Sequence, residues 1–514
     1  MSVTKRIAFG AAASWFSRGV TIVLGLVLMP VLFHHLAKEE LGVWLLLAQT
    51  SAVIFILDFG LGATLTRRIA MAKGKSGSDP ETPLNEETRR EIADLVESGR
   101  RVYQGLAVGT FVVSSLSGFI YLQRLHLTTV SLPVVWTAWG ILCLSQAFGV
   151  WAEVWNCLLF GVGYVGWDAV LGSFIYTVTL LFQIVTLYLG GGLVALATVA
   201  AIGLFAQRYL LLGFARSRRP ELFKIKGIFN GPVMYSMISP SLHAWGTTLG
   251  ITMVMNSDQF FIASLSGAAQ IPAYRAAYLV LYNLYLLALT TAGVSTVFIS
   301  HLWQAGKIAE VHRVVVRNLR LGLGIMAAGG ACILVLGPRL FDVWLGKGNF
   351  IGLPILVIFF VLLILETQSS VVTLGSRATE DEAFAPWALG AGGLKLTLSI
   401  FLGVHFGLLG IACSTLVAQL ATNDWYMVFR GLKRLQISFE SHVVDVILPV
   451  AGLFVAVTIA VWLPINGNLF ATEWEAVLAG SSIAGVLLAA FMWFFVMEPS
   501  HRQRFSTWRQ LARQ

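Results

Sequence analysis

Long apolar stretches recur from one end of this chain to the other, and they constrain its fold more than any motif does. A helix needs about 20 apolar residues to cross the hydrocarbon core of a bilayer. Windows of that size lie at 9–33, 41–66, 102–122, 133–158, 168–189, 191–214 and 233–264. They continue at 272–300, 317–337, 352–375, 384–404, 406–429, 443–464 and 474–496. Of the 514 residues, 57% are hydrophobic and only 12% carry a charged Asp, Glu, Lys or Arg side chain. That charged fraction is roughly half of what soluble domains carry, and mean hydropathy is +0.78. Lipid removes the need for a polar surface. The expectation is an all-α polytopic membrane protein with about 14 transmembrane helices.

The N-terminus carries Lys5 and Arg6 ahead of an apolar run from Ile7 to Leu36. That run is too long for the core of a cleavable signal peptide and reads as the first span. Cys143, Cys157, Cys332 and Cys413 are scattered inside apolar segments without a CxxC pair. They read as small buried residues and support neither a zinc site nor a disulfide framework.

Loop charge alternates along the chain. One set of loops holds Lys5, Arg6, Arg67, Arg68, Lys73, Lys75, Arg89, Arg90, Arg100 and Arg101. The same set holds Arg216, Arg218, Arg219, Lys224, Lys226, Lys307, Arg313, Arg317, Arg320 and Arg377. It ends with Arg430, Lys433, Arg434 and the basic, aromatic tail His501–Gln514. The other set holds only Lys38, Arg124, Arg275, Arg339 and Lys347. The basic side is expected to be cytoplasmic, and an even span count places both termini there. The net charge of +9 is then a matter of topology, and no nucleic-acid partner is needed to explain it. The tail suits anionic headgroups.

Motifs for chemistry are scarce. The longest hydrophilic segment, 67–101, has no GxxxxGK[ST] phosphate loop, which argues against a self-contained ATPase. HExxH and GxSxG are absent from the chain. His34–His35 reads as an interfacial polar pair before a metal site.

The informative residues are ionisable groups inside the spans. Each costs about 2.5–3.5 kcal/mol at a helix centre, so it normally faces a partner or a water-filled cavity. Arg18 lies in the first span, where its guanidinium either grips phosphate or reaches back to the headgroups. Asp58 in the second span and Asp424 in the twelfth read as helix-end groups or as cation-coupling carboxylates. Glu153 lies in the fourth span, Asp258 toward the external end of the seventh, and Arg275 at the start of the eighth. Glu366 and Lys395 sit deepest, at similar depth in consecutive antiparallel helices. An ion pair between them is expected, either fixing helix packing or switching during a transport cycle. Together these charges suggest a polar path through the membrane.

A weak internal echo is present. Leu36–Trp44 joins spans one and two, and Leu265–Tyr274 joins spans seven and eight. Each reads as Leu, a small residue, a polar or small linker, then an aromatic entering the next span. Duplicated halves are common in transporters. The echo implies two six-helix bundles, about 1–220 (with the cytoplasmic loop 67–101) and 228–430, and an extra helix pair with the basic tail at 440–514.

The series Leu41-Gly42-Val43-Trp44, Asp58-Phe59-Gly60-Leu61-Gly62 and Arg67-Arg68-Ile69-Ala70 resembles the N-terminal signature of the Wzx-type polysaccharide flippases. These are lipid-linked oligosaccharide flippases of the multidrug/oligosaccharidyl-lipid/polysaccharide (MOP) superfamily. Ser257-Asp258-Gln259-Phe260-Phe261-Ile262-Ala263 followed by Tyr274 resembles the matching seventh-span pattern. Specific motifs cover the first 75 residues and the region 250–280; elsewhere the resemblance is one of span count and layout.

The resemblance implies two bundles around a central cavity that opens to each side in turn. It implies an undecaprenyl-diphosphate-linked oligosaccharide as substrate, moved to the outer leaflet of the inner membrane for O-antigen, capsule or exopolysaccharide synthesis. No catalytic residue or cofactor is implied. The driving force would be a proton or sodium gradient or the membrane potential. Membrane lipids and a polysaccharide polymerase or chain-length machinery would be partners. By similarity to the lipid II flippases of the superfamily, Arg18 and Arg275 would face the diphosphate, with Lys395 a third candidate. Glu366, Asp258, Asp424 and Asp58 would be candidates for coupling or ion pairing. A multidrug or cation-coupled exporter would favour acidic residues in the cavity, and Asp258, Glu366 and Asp424 keep it open. A polymerase or ligase would need a catalytic external loop, which the short external loops do not offer. A lipid II flippase proper is a further alternative, with the first-loop motif favouring the polysaccharide branch.

Overall fold

The computed structural model describes residues 3–76, 81–379, 384–467 and 469–497, apart from the side chains at 3–15, 51–55, 165, 240, 243–244, 297 and 301. The tail His501–Gln514 lies outside the described residues. Every regular element among them is helical.

The chain forms two compact units: residues 1–272 with 388–407, and residues 273–387 with 408–514. The first contains α1 (Val3–His35), α2 (Lys38–Ile54), α3 (Leu61–Gly74), α4 (Glu86–Leu122), α5 (Leu132–Trp151) and α6 (Glu153–Val162). It continues with α7 (Val165–Tyr188), α8 (Leu193–Arg218), α9 (Pro220–Phe223), α10 (Gly231–Asn256) and α11 (Asp258–Leu265). The second is built on α12 (Ile271–Gln304), α13 (Ile308–Leu345), α14 (Leu353–Arg377) and α15 (Ala385–Ala421). It ends with α16 (Asn423–Arg434), α17 (Phe439–His442), α18 (Leu448–Asn466) and α19 (Glu473–Phe491). Helix α15 is kinked at Gly407, and its first half belongs to the first unit.

Eleven helices among the described residues are long and apolar enough to cross a membrane. One of these stretches, Ala385–Arg434, runs through the kink and covers two of the expected spans. The expected second and seventh spans are each broken by a short interruption, α2 from α3 and α10 from α11. The fourteen expected spans are accounted for in this way, and the chain is an all-α polytopic membrane protein.

The units divide elsewhere than the expected halves at 220–228. In the first unit, α1 packs on α7, α4 on α5, α5 on α8 and α3 on α6. Helix α10 packs on α3. A Cβ on Gly250 would meet the backbone of Ala388 at 2.3 Å, so α10 and the 388–407 segment touch backbone to backbone. Span seven therefore joins the first unit instead of opening the second. Leu65, Ile69, Ile92, Tyr103 and Val154 form its sealed core. In the second unit α13 is the central helix, packing on α14, α18 and α19. Its Val311, Val315 and Leu319 recur at four-residue spacing and are buried, as one face of an amphipathic helix requires.

Candidate functional site

The Asp58–Gly62 motif breaks span two. Phe59 and Gly60 both have positive φ, 51° and 71°, a conformation that halts a right-handed helix and suits glycine. A Cβ on Gly60 would also lie 2.5 Å from the Ser241 carbonyl oxygen. Asp58 Oδ2 accepts the Gly62 N–H at 3.0 Å, at the start of α3, and Tyr103 hydrogen-bonds the same carboxyl. Asp58 is therefore a buried helix-end group that shapes the break. Nearby, Glu153 pairs with Arg208 at 2.6 Å and accepts from Asn156 Nδ2 at 3.0 Å. Arg208 is the partner that carboxylate-based reading misses; a basic residue inside the expected span 191–214 is the signal for it.

The first-loop motif is a clamp. Glu39 Oε1 accepts the N–H groups of Thr128, Thr129 and Val130 at 2.8, 3.1 and 3.3 Å, and Oε2 accepts the Thr128 hydroxyl at 2.5 Å. Glu40 accepts the Leu193 N–H at the start of α8. Gly42 lets α2 meet the turn Ala268–Gln270 directly, since a Cβ there would lie 1.8 Å from the Ala268 carbonyl oxygen. The two echo segments of the sequence thus pack on each other. Burial pushes the Glu39 carboxyl up, and the Thr128 hydroxyl and the three N–H donors outweigh it, leaving it below its ordinary value of 4.5. A depressed carboxyl contributes stability above its ordinary value and loses it as pH falls through the lowered one. Glu39→Gln is expected to lower thermal stability by on the order of 1.5–3 kcal/mol at neutral pH, the worth of hydrogen bonds to a charged group. Thermal unfolding across a pH series should show the gap to the native protein closing in acid. A gap that is constant with pH would remove the charge from the clamp.

The break in span seven gathers a buried polar cluster of the first unit. Helix α10 ends at Asn256 and α11 starts at Asp258, with Ser257 between them at φ −93° and ψ −15° where the helical ladder is interrupted. Asn256 accepts from Gln49, and Gln259 donates to Gln49 at 3.4 Å. Asp258 Oδ1 lies 2.6 Å from Lys395 Nζ. Lys395 also donates to the Ser257 hydroxyl and stands 5.1 Å from the centre of the Phe261 ring. Its side chain is 0% exposed. The expected pairing of Lys395 with Glu366 is corrected here. Depth along the sequence does not single out Asp258, which it places nearer the external end; packing of the 388–407 segment on α10 brings that carboxylate to Lys395.

Glu366 has other partners, all in the second unit. It accepts from Ser370 Oγ at 3.0 Å and from Gln419 Nε2 at 2.5 Å. Gln419 in turn accepts from Asn423 at 2.8 Å. Asp424 is buried, with Ser369 beside its carboxyl, and is near enough to Glu366 for the two groups to interact. Two carboxyls are thus brought together on α14 and α16. On the other side Ser370 contacts the Tyr285 hydroxyl at 3.1 Å. Tyr285, Tyr282 and Tyr278 then form a ladder of rings 5.5 and 5.2 Å apart along α12. It ends at Arg275, whose guanidinium lies 5.6 Å from the Tyr278 ring centre. Three tyrosines at spacings of four and three inside a span are the sequence signal for this ladder. Arg18 stands apart on α1, exposed, next to Ser17, whose hydroxyl is hydrogen-bonded by Ser173 of α7.

Among solved structures the chain is similar to the lipid II flippase MurJ in an inward closed conformation, with TM-score 0.67 and 14% identity over 94% of this chain and 97% of that one. It has the fold of these membrane transporters. An inward-facing multidrug resistance MATE family transporter of the MOP superfamily is similar at TM-score 0.67 and 13% identity, over 83% of this chain and 98% of that one. A MOP superfamily transporter from Pyrococcus furiosus, described as having a binding pocket of reversed polarity, is similar at TM-score 0.54 and 15% identity, over 84% of this chain. No family model and no curated protein matches the sequence.

Proposed function

We propose that this protein is a flippase for lipid-linked oligosaccharides, moving undecaprenyl-diphosphate-linked repeat units from the cytoplasmic to the outer leaflet of a cell inner membrane. The observation that carries the reading is the extent of the fold match. Likeness to the lipid II flippase runs over 94% of the chain, against 83% for the multidrug resistance transporter and 84% for the MOP transporter from Pyrococcus furiosus. The first-loop and Asp58–Gly62 motifs point the same way. In this reading the basic loops face the cytoplasm, and Arg18 and Arg275 attract the diphosphate, for which a guanidinium fork is suited. Lys395 is already neutralised by Asp258 and is left out of the substrate path. Glu366 and Asp424 carry the coupling to a cation gradient, since a buried carboxyl pair is stable only with a proton or cation between its members.

A multidrug exporter is the second reading, favoured by the same carboxyl pair, which would also attract a cationic drug. One deletion strain separates the two. The flippase reading expects the lipid-linked intermediate to accumulate at the cytoplasmic leaflet, polymer export to stop, and drug susceptibility to stay unchanged. Complementation with Glu366→Gln should restore little export if Glu366 couples transport. Unchanged intermediate levels with raised drug susceptibility would reject the flippase and leave the exporter.

A further inference from the structure

The second unit holds a basic cleft that plays no part in the proposed transport path. It is a cavity of about 570 Å³ between the start of α13, the loop after α16 and the end of α19. His312, Arg313, Arg317 and Arg320 line it from α13, with Phe494 and Phe495 from the end of the chain's last described helix. The four-residue period that buries Val311, Val315 and Leu319 also places Arg313 and Arg317 on the opposite, open face.

The floor is a built structure. The two π turns among the described residues, Val443–Ile447 and Met492–Val496, both border this cleft. Such turns release backbone carbonyls from the helical ladder and recur at functional sites. Arg320 takes one carbonyl from each: Nε donates to the Asp445 oxygen at 2.6 Å and Nη1 to the Phe495 oxygen at 2.9 Å. Its charge is matched by the Asp445 carboxylate at 3.7 Å. His312 contacts the Leu435 carbonyl oxygen at 2.6 Å. Arg313 and Arg317 make no hydrogen bond or ion pair among the described residues. Two uncompensated guanidinium groups thus stand over a floor that a third arginine holds in shape.

The first unit has a cleft of similar make, of about 480 Å³, which shows the contrast. There Arg100 and Arg101 both pair with Glu97, at 2.9 and 3.1 Å, and Arg216 lies over the Phe223 ring. Its arginines are already engaged.

We infer that the cleft of Arg313 and Arg317 binds the phosphate of an anionic phospholipid. Two guanidinium forks suit phosphate oxygens. The rim selects an amphiphile over a soluble phosphate. Phe494 is 64% and Phe495 44% exposed at the end of a membrane-spanning helix, beside the cations. Basic pockets between helix ends on the cytoplasmic side are where anionic headgroups reside. The site is distinct from Arg18 and Arg275, so its failure would leave the flippase reading standing.

The test uses the purified full-length protein in nanodiscs of phosphatidylcholine, with dioleoylphosphatidylglycerol titrated in and bound lipid counted by native mass spectrometry. The double variant Arg313→Gln/Arg317→Gln should bind phosphatidylglycerol about 30-fold more weakly, taking a few-fold per cation near the surface. Arg313→Lys/Arg317→Lys should keep most of the binding, and Arg100→Gln/Arg101→Gln should keep all of it. Circular dichroism of each variant shows whether it is folded. Equal binding by the folded Gln variant and the native protein overturns the proposal. So does inorganic pyrophosphate that displaces the lipid at equal concentration, which would make the cleft a site for free phosphate.

Discussion

Replacing Lys395 with Met is expected to cost the protein about 3–5 kcal/mol, the price of leaving one member of a buried ion pair without the other. The Lys395 side chain is 0% and that of Asp258 13% exposed, so neither charge has bulk water to fall back on. Ser257 and the Phe261 face also lose the ammonium they surround. Thermal unfolding of the detergent-solubilised variant should show a fall in midpoint well beyond that of a surface substitution. The double variant Lys395→Met/Asp258→Leu should regain most of the loss, because apolar side chains of similar volume replace buried pairs at little cost. A single variant as stable as the native protein would mean that the pair holds nothing together. Export by the double variant then separates roles. A stable, exporting double variant marks the pair as packing, and a stable, inactive one marks it as part of the cycle.

The second large effect is expected at Gly42. A methyl group there would sit 1.8 Å from the Ala268 carbonyl oxygen and 2.6 Å from its carbon. Both are backbone atoms and have no rotamer to turn away. Relief requires α2 to move off the turn that begins α12, with Glu39 and Glu40 anchored two or three residues away. Gly42→Ala is expected to lose upward of about 3 kcal/mol, at the top of the range for overpacked interiors. Gly105 in α4 has open space around its Cβ position. Gly105→Ala should be neutral or gain up to about 1 kcal/mol, as removal of a helical glycine does. Thermal midpoints of the two variants check this, and equal midpoints would refute the close approach.

Much of the fold was readable because hydrophobic length is set by the bilayer and does not depend on tertiary detail. The two interrupted spans were readable as apolar runs but not as breaks. Apolar content does not register that Phe59 and Gly60 leave the helix, or that Ser257 separates α10 from α11. The unit boundary was hidden for a related reason. The repeat pattern points to 220–228, whereas span seven is held to the first unit by glycine-mediated backbone contact at Gly250 and Gly42, which hydropathy does not register. The site was legible residue by residue and not pair by pair. Rarity of charge inside spans picks out Asp258, Glu366, Lys395 and Asp424. Partner choice follows from helix rotation and local breaks, so depth alone gave Lys395 to Glu366 instead of Asp258. The tyrosine ladder needed only its spacing, yet tyrosines in a span are common enough to pass as interfacial residues.

The order in which the chain is made now matters in a way the finished structure hides. The first unit is discontinuous: its last piece, 388–407, brings Lys395 to a helix break 138 residues earlier, at Ser257. Asp258 therefore enters the membrane long before its counter-ion has been synthesised. Until then it must stay hydrated or be shielded by an insertion factor. A chain halted before residue 388 would present a nearly finished unit with a raw carboxylate in it, a ready mark for membrane quality control.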